Sequence, residues 1–415
     1  MSKKLQVLLL TTSILIVAFA VIGGLGVHAA STSNNNNNNN NDGAYNHIQV
    51  YSEVLYHIRA EYVEEPNMPL VTSGALHGLL ESLDANSSYL SPAEYKVFKQ
   101  KKADGKAGVG ATISKRFGYA AVVSVIPGGP ADKAGIGSGD IIEAIDNKST
   151  HDMSLAEIRS VMTGEVGSRL DCSIIRTRKI EPQKVTITRD VVNPPATTEQ
   201  LMADNVGYIK ALVLNKGKAQ EIAGRIKSLQ KQGARKLVLD LRDDSDGDEE
   251  EAVAVANLFL NHGIIAYLEG QKYARVTYNA DPQKKITDLP VVVLVNRGTA
   301  GPAEVVAASM LDDARGDVLG DKTFGDGSVQ KLIEVPDGSA LILSIAKYYT
   351  PKGKVIQENG ITPNIEVASV DDLAALPDDE DGGGANTEEP QKPQVKEDEQ
   401  LHRAIEVLKN KKSST

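Results

Sequence analysis

The chain has 415 residues, long enough for two or three domains with a sizeable core. Its 45 Lys and Arg stand against 55 Asp and Glu, a net charge of −10, which argues against a phosphate backbone and so against nucleic acid as a partner. The single cysteine, Cys172, has no partner for an intramolecular disulfide, and in RLDCSIIRT it reads as a small buried strand residue.

Residues 1–30, MSKKLQVLLLTTSILIVAFAVIGGLGVHAA, set Lys3 and Lys4 before an apolar run from Leu5 to Val27 that ends in small residues. This is the layout of a secretory signal peptide, and the run is also just long enough to span a bilayer as an uncleaved anchor. Either reading puts the rest of the chain on the periplasmic or extracellular face. Residues 31–43 contain eight consecutive Asn, Asn34 to Asn41, which cannot bury apolar surface and predict a flexible spacer.

Residues 44–103 predict a small helical region. Ile48, Val54, Leu55, Ile58 and Tyr62 recur at helical spacing, and LVTSGALHGLLESLDANSSYLS gives a second amphipathic helix ending near Leu83. Residues 104–190 change period, with short strands AAVVSVI, DIIEAID, LDCSIIRT and KVTITRD around one helix, SLAEIRSVM. Residues 191–370 alternate strand and helix, from VGYIKALVL to GDVLGD, and predict an α/β core whose sheet has helices on both faces. Residues 371–415 begin as an acidic, Pro- and Gly-rich linker and end in a helix with Leu401, Ile405 and Leu408 on one stripe, to dock on the body or on a neighbour.

The seven histidines show no His-x-x-x-His spacing and the chain no Cys-x-x-Cys, so sequence spacing signals no metal site and no cofactor. In the β-rich segment, AGVGATIS is followed by SVIPGGPADKAGIGSGDIIEAID. A glycine-flanked turn entering a strand leaves backbone N–H groups that can hold a terminal carboxylate while a peptide adds alongside as a strand. The segment resembles a PDZ domain, which assigns Gly108, Val109, Gly110 and Ala111 to the carboxylate-binding loop.

Beyond it, KLVLDLRDDSDGDEEEAVAVANLFL, LVNRGTAGPAEVVAASMLDDARGDVLGDKTFGDGSVQ and ALILSIAKYYTPKGKVIQENGITPNIEV follow in order. Together with LESLDANSSYLSPAEYKVF and the PDZ segment, these resemble the C-terminal processing (tail-specific) serine protease family over roughly Tyr45 to Val367. The resemblance implies a ClpP/crotonase-like α/β core with an inserted PDZ domain and an N-terminal helical region. It also implies a serine endopeptidase mechanism, in which a serine at a strand-to-helix turn attacks the peptide carbonyl and a desolvated lysine takes its proton.

The implied machinery is absent residue by residue. Where the family reads Ser-Ala-Ser-Ala-Ser-Glu, this chain reads Thr299-Ala300-Gly301-Pro302-Ala303-Glu304, so Gly301 holds the nucleophile position. Where the family reads Phe-Gly-Lys-Gly-Ser-Val-Gln, Asp326 holds the lysine position, and Gln330 and Asp312 are retained. The family's oxyanion turn Asn-Asn-Pro-Gly-Gly is here Asp243-Asp244-Ser245-Asp246-Gly247, among seven acids between Asp243 and Glu251. Those acids oppose a developing negative charge.

The acidic run has a structural reading, Asp246 capping the next helix with Glu249 as capping box, and a calcium loop would need an acid at Arg242 and a Glu at Val253. Relocated chemistry would have to use Thr299, Ser309, Ser328 or Lys322, or pair Asp312 with Asp326. The expectation is therefore a pseudoprotease that binds polypeptide C-termini or unfolded exported proteins. An active endopeptidase with a relocated dyad, and an oligomerisation partner of an active homologous protease or of its own copies, are the alternatives.

Overall fold

The computed structural model describes residues 42–104, 107–176, 179–193, 195–368 and 398–411. The N-terminal apolar run, the poly-Asn tract and most of the acidic linker lie outside them. No helix among the described residues is long and apolar enough to cross a membrane.

The chain divides into two compact units between Thr72 and Ser73. In the first, helix α1 (Asp42–Glu61) starts directly after the asparagines, so Asp42 and Gly43 belong to a helix rather than to the expected spacer. Its apolar stripe is not buried: Ile48 and Val54 are exposed, Leu55 and Ile58 are half-buried, and Tyr62, expected on the stripe, lies exposed just past the helix end. An amphipathic face needs an opposing layer, and none among the described residues of this unit covers it. Helix α2 (Met68–Glu81) carries the chain across the division.

The second unit opens with β1 (Ser88–Leu90) and α3 (Pro92–Asp104). A β-rich module follows: β2 (Ala111–Arg116), β3 (Tyr119–Val125), the short α4 (Pro130–Lys133), β4 (Ile141–Ile145), β5 (Lys148–Ser149), α5 (Leu155–Met162), β6 (Arg169–Arg176) and β7 (Lys179–Thr188). Its sheet runs β2-β3-β4-β6-β7, leaving β2 as an edge strand. Helix α5 is started by a reciprocal capping box between Ser154 and Glu157 and buries Leu155, Ile158 and Met162 in the module's core. Cys172 lies in that core, where burial pushes its thiol up to about 12, so it is an inert packing residue.

The remaining chain gives β8 (Thr198–Leu201), β9 (Val206–Lys210), α6 (Lys218–Gln232), β10 (Lys236–Asp240), α7 (Glu249–Asn257), β11 (Ile264–Glu269) and β12 (Val276–Asn279). Then come β13 (Val291–Val295), α8 (Pro302–Asp312), β14 (Asp317–Gly320), β15 (Ser328–Glu334), β16 (Ala340–Tyr349), β17 (Ile365–Glu366) and α9 (Glu399–Asn410). The central sheet runs β17-β14-β13-β10-β9-β8, parallel except for β8.

Every residue of β13 is buried, as expected of a parallel strand covered on both faces. Alternation sorts those faces. Leu237, Leu239, Val291, Val293 and Val295 pack with α6, α7 and α8, while Val238, Val292 and Leu294 pack under α9. An antiparallel sheet, β1-β16-β11-β12 with β15 beside β16, completes the unit.

Of the two places offered to the last helix, it takes the body. Ala404 and Leu408 are fully buried against the sheet, and Arg242 clamps the helix start by bonding Asp240 (Nε to Oδ1, 2.9 Å) and Asp398 (Nη2 to Oδ2, 2.7 Å). Leu408→Ala should therefore lower the unfolding free energy by about 2–5 kcal/mol, whereas His402→Ala on the exposed side should change it by less than about 0.5 kcal/mol. Urea denaturation of both variants checks this.

Candidate functional site

Strand β13 ends at Val295, and the chain turns through Asn296–Gly301 into α8. The turn is fixed from within: the Thr299 hydroxyl donates to the Leu241 carbonyl (2.8 Å), and the Asn296 side chain bonds both the backbone N–H and the carboxylate of Asp243 (3.0 and 2.9 Å). Gly301 caps the helix at φ 59°, ψ −123°, a region in which residues with a side chain are strained. A strand-to-helix elbow is thus present, with Gly301 at its apex. Space is not the obstacle, since a Cβ at Gly301 would meet only the Asp326 carbonyl oxygen, at 3.8 Å.

Glu304, on the first turn of α8, ties the elbow to the loop that carries Asp326. Fully buried, its carboxylate accepts from the N–H groups of Gly301 (2.9 Å), Gly325 (2.8 Å) and Asp326 (2.8 Å) and from the Thr323 hydroxyl. Burial pushes it up to about 7 against the pull of these donors.

Asp326 in turn accepts from Asn86 Nδ2 (3.1 Å), and the same nitrogen reaches Ser328 Oγ (3.0 Å). Asn86 is held by Asp84, whose carboxylate caps the turn by accepting from the N–H groups of Asn86 and Ser87. Gln330 donates to the Ser328 hydroxyl (2.7 Å) and carbonyl (3.1 Å).

The acidic turn departs from its expected capping role. Helix α7 begins at Glu249 behind Asp248, which makes no side-chain cap, and Asp246 instead accepts from the Gly247 N–H (2.9 Å). Glu251, not Glu249, does the capping, and on another helix: its two oxygens take the N–H groups of Gly217 and Ala219 at the start of α6 (3.0 Å each). Gly247 (φ 142°) tolerates no side chain, because a Cβ there would lie 2.4 Å from the Leu214 carbonyl. Asp244, next in the same turn, is completely buried with both carboxylate oxygens unpartnered, and burial raises it well above the usual carboxylate range.

A single open cavity of about 580 Å³ is lined by Gly301, Asp326, Gln330, Asp246 and Gly247 on the core side and by Gly108, Val109, Gly110 and Ala111 on the β-rich side. The structure therefore gathers nearly all the sequence-identified positions around one space. In the glycine turn the Val109 and Gly110 carbonyls are engaged by Ala131 N–H (2.7 Å) and Ile126 N–H (2.8 Å), whereas no acceptor among the described residues meets the N–H of Val109 or Gly110. Those donors suit a carboxylate.

Two other residues facing this space, Asn86 and Arg159, had no sequence signal as site residues, and Glu249, read from sequence only as a helix cap, faces it too. Arg159 on α5 hydrogen-bonds the Ile113 carbonyl on edge strand β2 (3.2 Å). Burial depresses its guanidinium, countered by the nearby Asp326 and Asp246 carboxylates. Among the described residues no lysine lines the cavity.

The relocation candidates scatter. Thr299 is buried under Leu241, Ser309 donates back to the Val306 carbonyl inside α8, and Lys322 lies with Asp312 in another pocket. Asp312, at the far end of α8 from Gly301, accepts from the Lys352 N–H and cannot pair with Asp326. Of these hydroxyls only Ser328 faces the cavity.

The Peptidase family S41 model matches residues 205–367 and a PDZ domain model residues 122–176. The carboxy-terminal processing protease CtpA of Bacillus subtilis is 32% identical over 322 residues, 77% of this chain and 68% of that protein. The carboxy-terminal-processing protease of Bartonella bacilliformis is 31% identical over 328 residues, 78% and 75% respectively.

The chain belongs to the carboxyl-terminal processing proteases of family S41. Among solved structures, the photosystem II D1 C-terminal processing protease superposes with a TM-score of 0.64 at 26% identity, covering 77% of this chain and 92% of that one. The mixed α/β core, PDZ domain and N-terminal helices are those of an S41 protease.

The carboxyl of Glu304 yields a test of the elbow. Its folded pKa of about 7 lies above an ordinary 4.5, so the folded chain binds this proton more tightly than the unfolded chain does. The stability gained is full below about pH 4.5 and is lost as pH rises through 7. Between pH 5 and 8 the wild type should lose roughly 2.5 kcal/mol more stability than Glu304→Gln, which has no proton to release. Parallel slopes in urea denaturation at the two pH values would refute this.

Proposed function

We propose that this S41 protein is a pseudoprotease that holds C-terminal or unfolded segments of exported polypeptides without cutting them. The reading rests on one observation: the PDZ carboxylate turn and the vacated elbow line the same cavity. A chain end held at Val109 and Gly110, paired along β2, leads toward Gly301 and Asp326, where the chemistry of cleavage is missing four times over.

No hydroxyl stands at Gly301 and no amine at Asp326. The oxyanion would need N–H donors from the residue after the nucleophile and from the glycine turn. The first is Pro302, which has no N–H, and the second, Gly247, is already engaged by the Asp246 carboxylate. Asp246, Glu249 and Asp326 also oppose the negative charge that a tetrahedral intermediate develops. Residues 1–30 support export, by a cleaved signal or as an anchor that keeps the protein on the outer face of a membrane.

An active endopeptidase with a relocated dyad is the second reading, and Ser328 in the cavity beside Asp326 is the observation in its favour. A role as assembly partner of an active homologue draws on the exposed apolar stripe of α1.

Incubation of the purified chain with an unfolded, C-terminally tagged protein should give no cleavage, and turnover abolished by Ser328→Ala would establish the second reading instead. Gly301→Ser combined with Asp326→Lys should restore little activity, because Pro302 and the Asp246-blocked donor remain. Robust turnover of that variant would show the oxyanion site competent. For binding, a peptide with a free terminal carboxylate should bind at least tenfold more tightly than its amidated form by fluorescence anisotropy, and equal affinity would rule out the PDZ turn as the anchor.

A further inference from the structure

We propose that His77, Glu94 and Glu157 form a binding site for one divalent transition-metal cation, of which zinc fits the donors best. The three residues come from three helices, α2, α3 and α5, and one donor atom of each lies within 4.8 Å of the others. His77 Nε2 stands 3.3 Å from Glu94 Oε2. A tetrahedral zinc with ligands at about 2.1 Å holds its donors about 3.4 Å apart, so this pair is already spaced for it. Closing the Glu157 carboxylate on the other two takes a side-chain movement of roughly an ångström.

Both carboxylates are pre-oriented by the same device. Each is the third helical residue of a capping box, Glu94 accepting from the Ser91 N–H (2.7 Å) and Glu157 from the Ser154 N–H (2.8 Å), which aims two helix starts at one point. Tyr89 meets the His77 ring edge-on, with centroids 5.4 Å apart, and fixes its plane. The three side chains are 20%, 29% and 12% exposed, so the group is sheltered yet reachable.

One imidazole and two carboxylates make a mixed nitrogen and oxygen set, which favours zinc over the oxygen-seeking magnesium and calcium. Three protein ligands leave a fourth position for water. Nearby, Glu81 is paired with Lys115, and Lys148 reaches Glu157 from the solvent side at 3.5 Å. A cation here would pin α5, whose Arg159 and Met162 line the cavity, to the helices that precede the PDZ domain.

The rival chelate is on α1, where exposed His57 lies between Glu53 and Glu61. Calorimetric titration of zinc into the full, tag-free chain after chelator treatment separates the two. One zinc per chain is expected, bound at least tenfold more weakly by His77→Ala and by Glu94→Gln and unchanged in His57→Ala. Absence of stoichiometric binding, affinity unaltered in both cluster variants, or loss in His57→Ala would each overturn the proposal. Should circular dichroism show the cluster variants unfolded, zinc-edge anomalous density in crystals of the unaltered chain decides: a peak among the three side chains supports the site, and its absence overturns it.

Discussion

The geometry of the cleft depends on one buried carboxylate. Glu304 gathers three backbone N–H groups and a hydroxyl from two loops, and it reinforces a direct backbone bond between them, from the Phe324 N–H to the Thr299 carbonyl (2.9 Å). A buried acceptor with four donors is costly to remove, because the buried donors, the Thr323 hydroxyl and the Gly325 N–H, would then be left without this partner away from water. The elbow and the Asp326 loop therefore stay in register although the side chains that would have reacted across them are absent. The residues that hold the architecture are therefore distinct from Gly301 and Asp326, the positions on which the proposed loss of chemistry rests.

The same separation explains the electrostatics. An S41 cleft built to stabilise an oxyanion needs donors and positive charge at its centre. Here Asp246, Glu249 and Asp326 converge on the space, and the cation that lines it, Arg159, comes from the PDZ domain rather than the core. Arg159 also occupies the Ile113 carbonyl on edge strand β2, a group that an added peptide strand would compete for. Cleft and edge strand β2 are thus joined through Arg159 as well as through a shared wall.

Much of this was legible in the sequence because backbone-determined features leave local signatures. The Val-rich β13, the glycine-proline elbow and the PDZ glycine turn all sit in short contiguous stretches, and they fall where those stretches predict. What sequence could not give were contacts between distant segments: Asn86 reaching Asp326 and Ser328, Arg159 reaching Ile113, and the meeting of His77, Glu94 and Glu157 from three helices. Local readings failed where tertiary partners competed. The chain puts Asp248 rather than Asp246 at the helix start, and Glu251 reaches over to cap α6. The apolar stripe of α1 predicts burial that its own unit does not supply.

Pro302 has a consequence for how this protein can change. A lost side chain can be regained by one substitution, but the ring removes a main-chain donor, and no replacement elsewhere returns it. A serine arriving alone at Gly301 would find neither a base nor an oxyanion donor, so selection for cleavage would have nothing to favour in that first step. On the proposed binding role, a cleaving variant would need a hydroxyl, a base and a main-chain donor together, so single substitutions would leave the protein a binder.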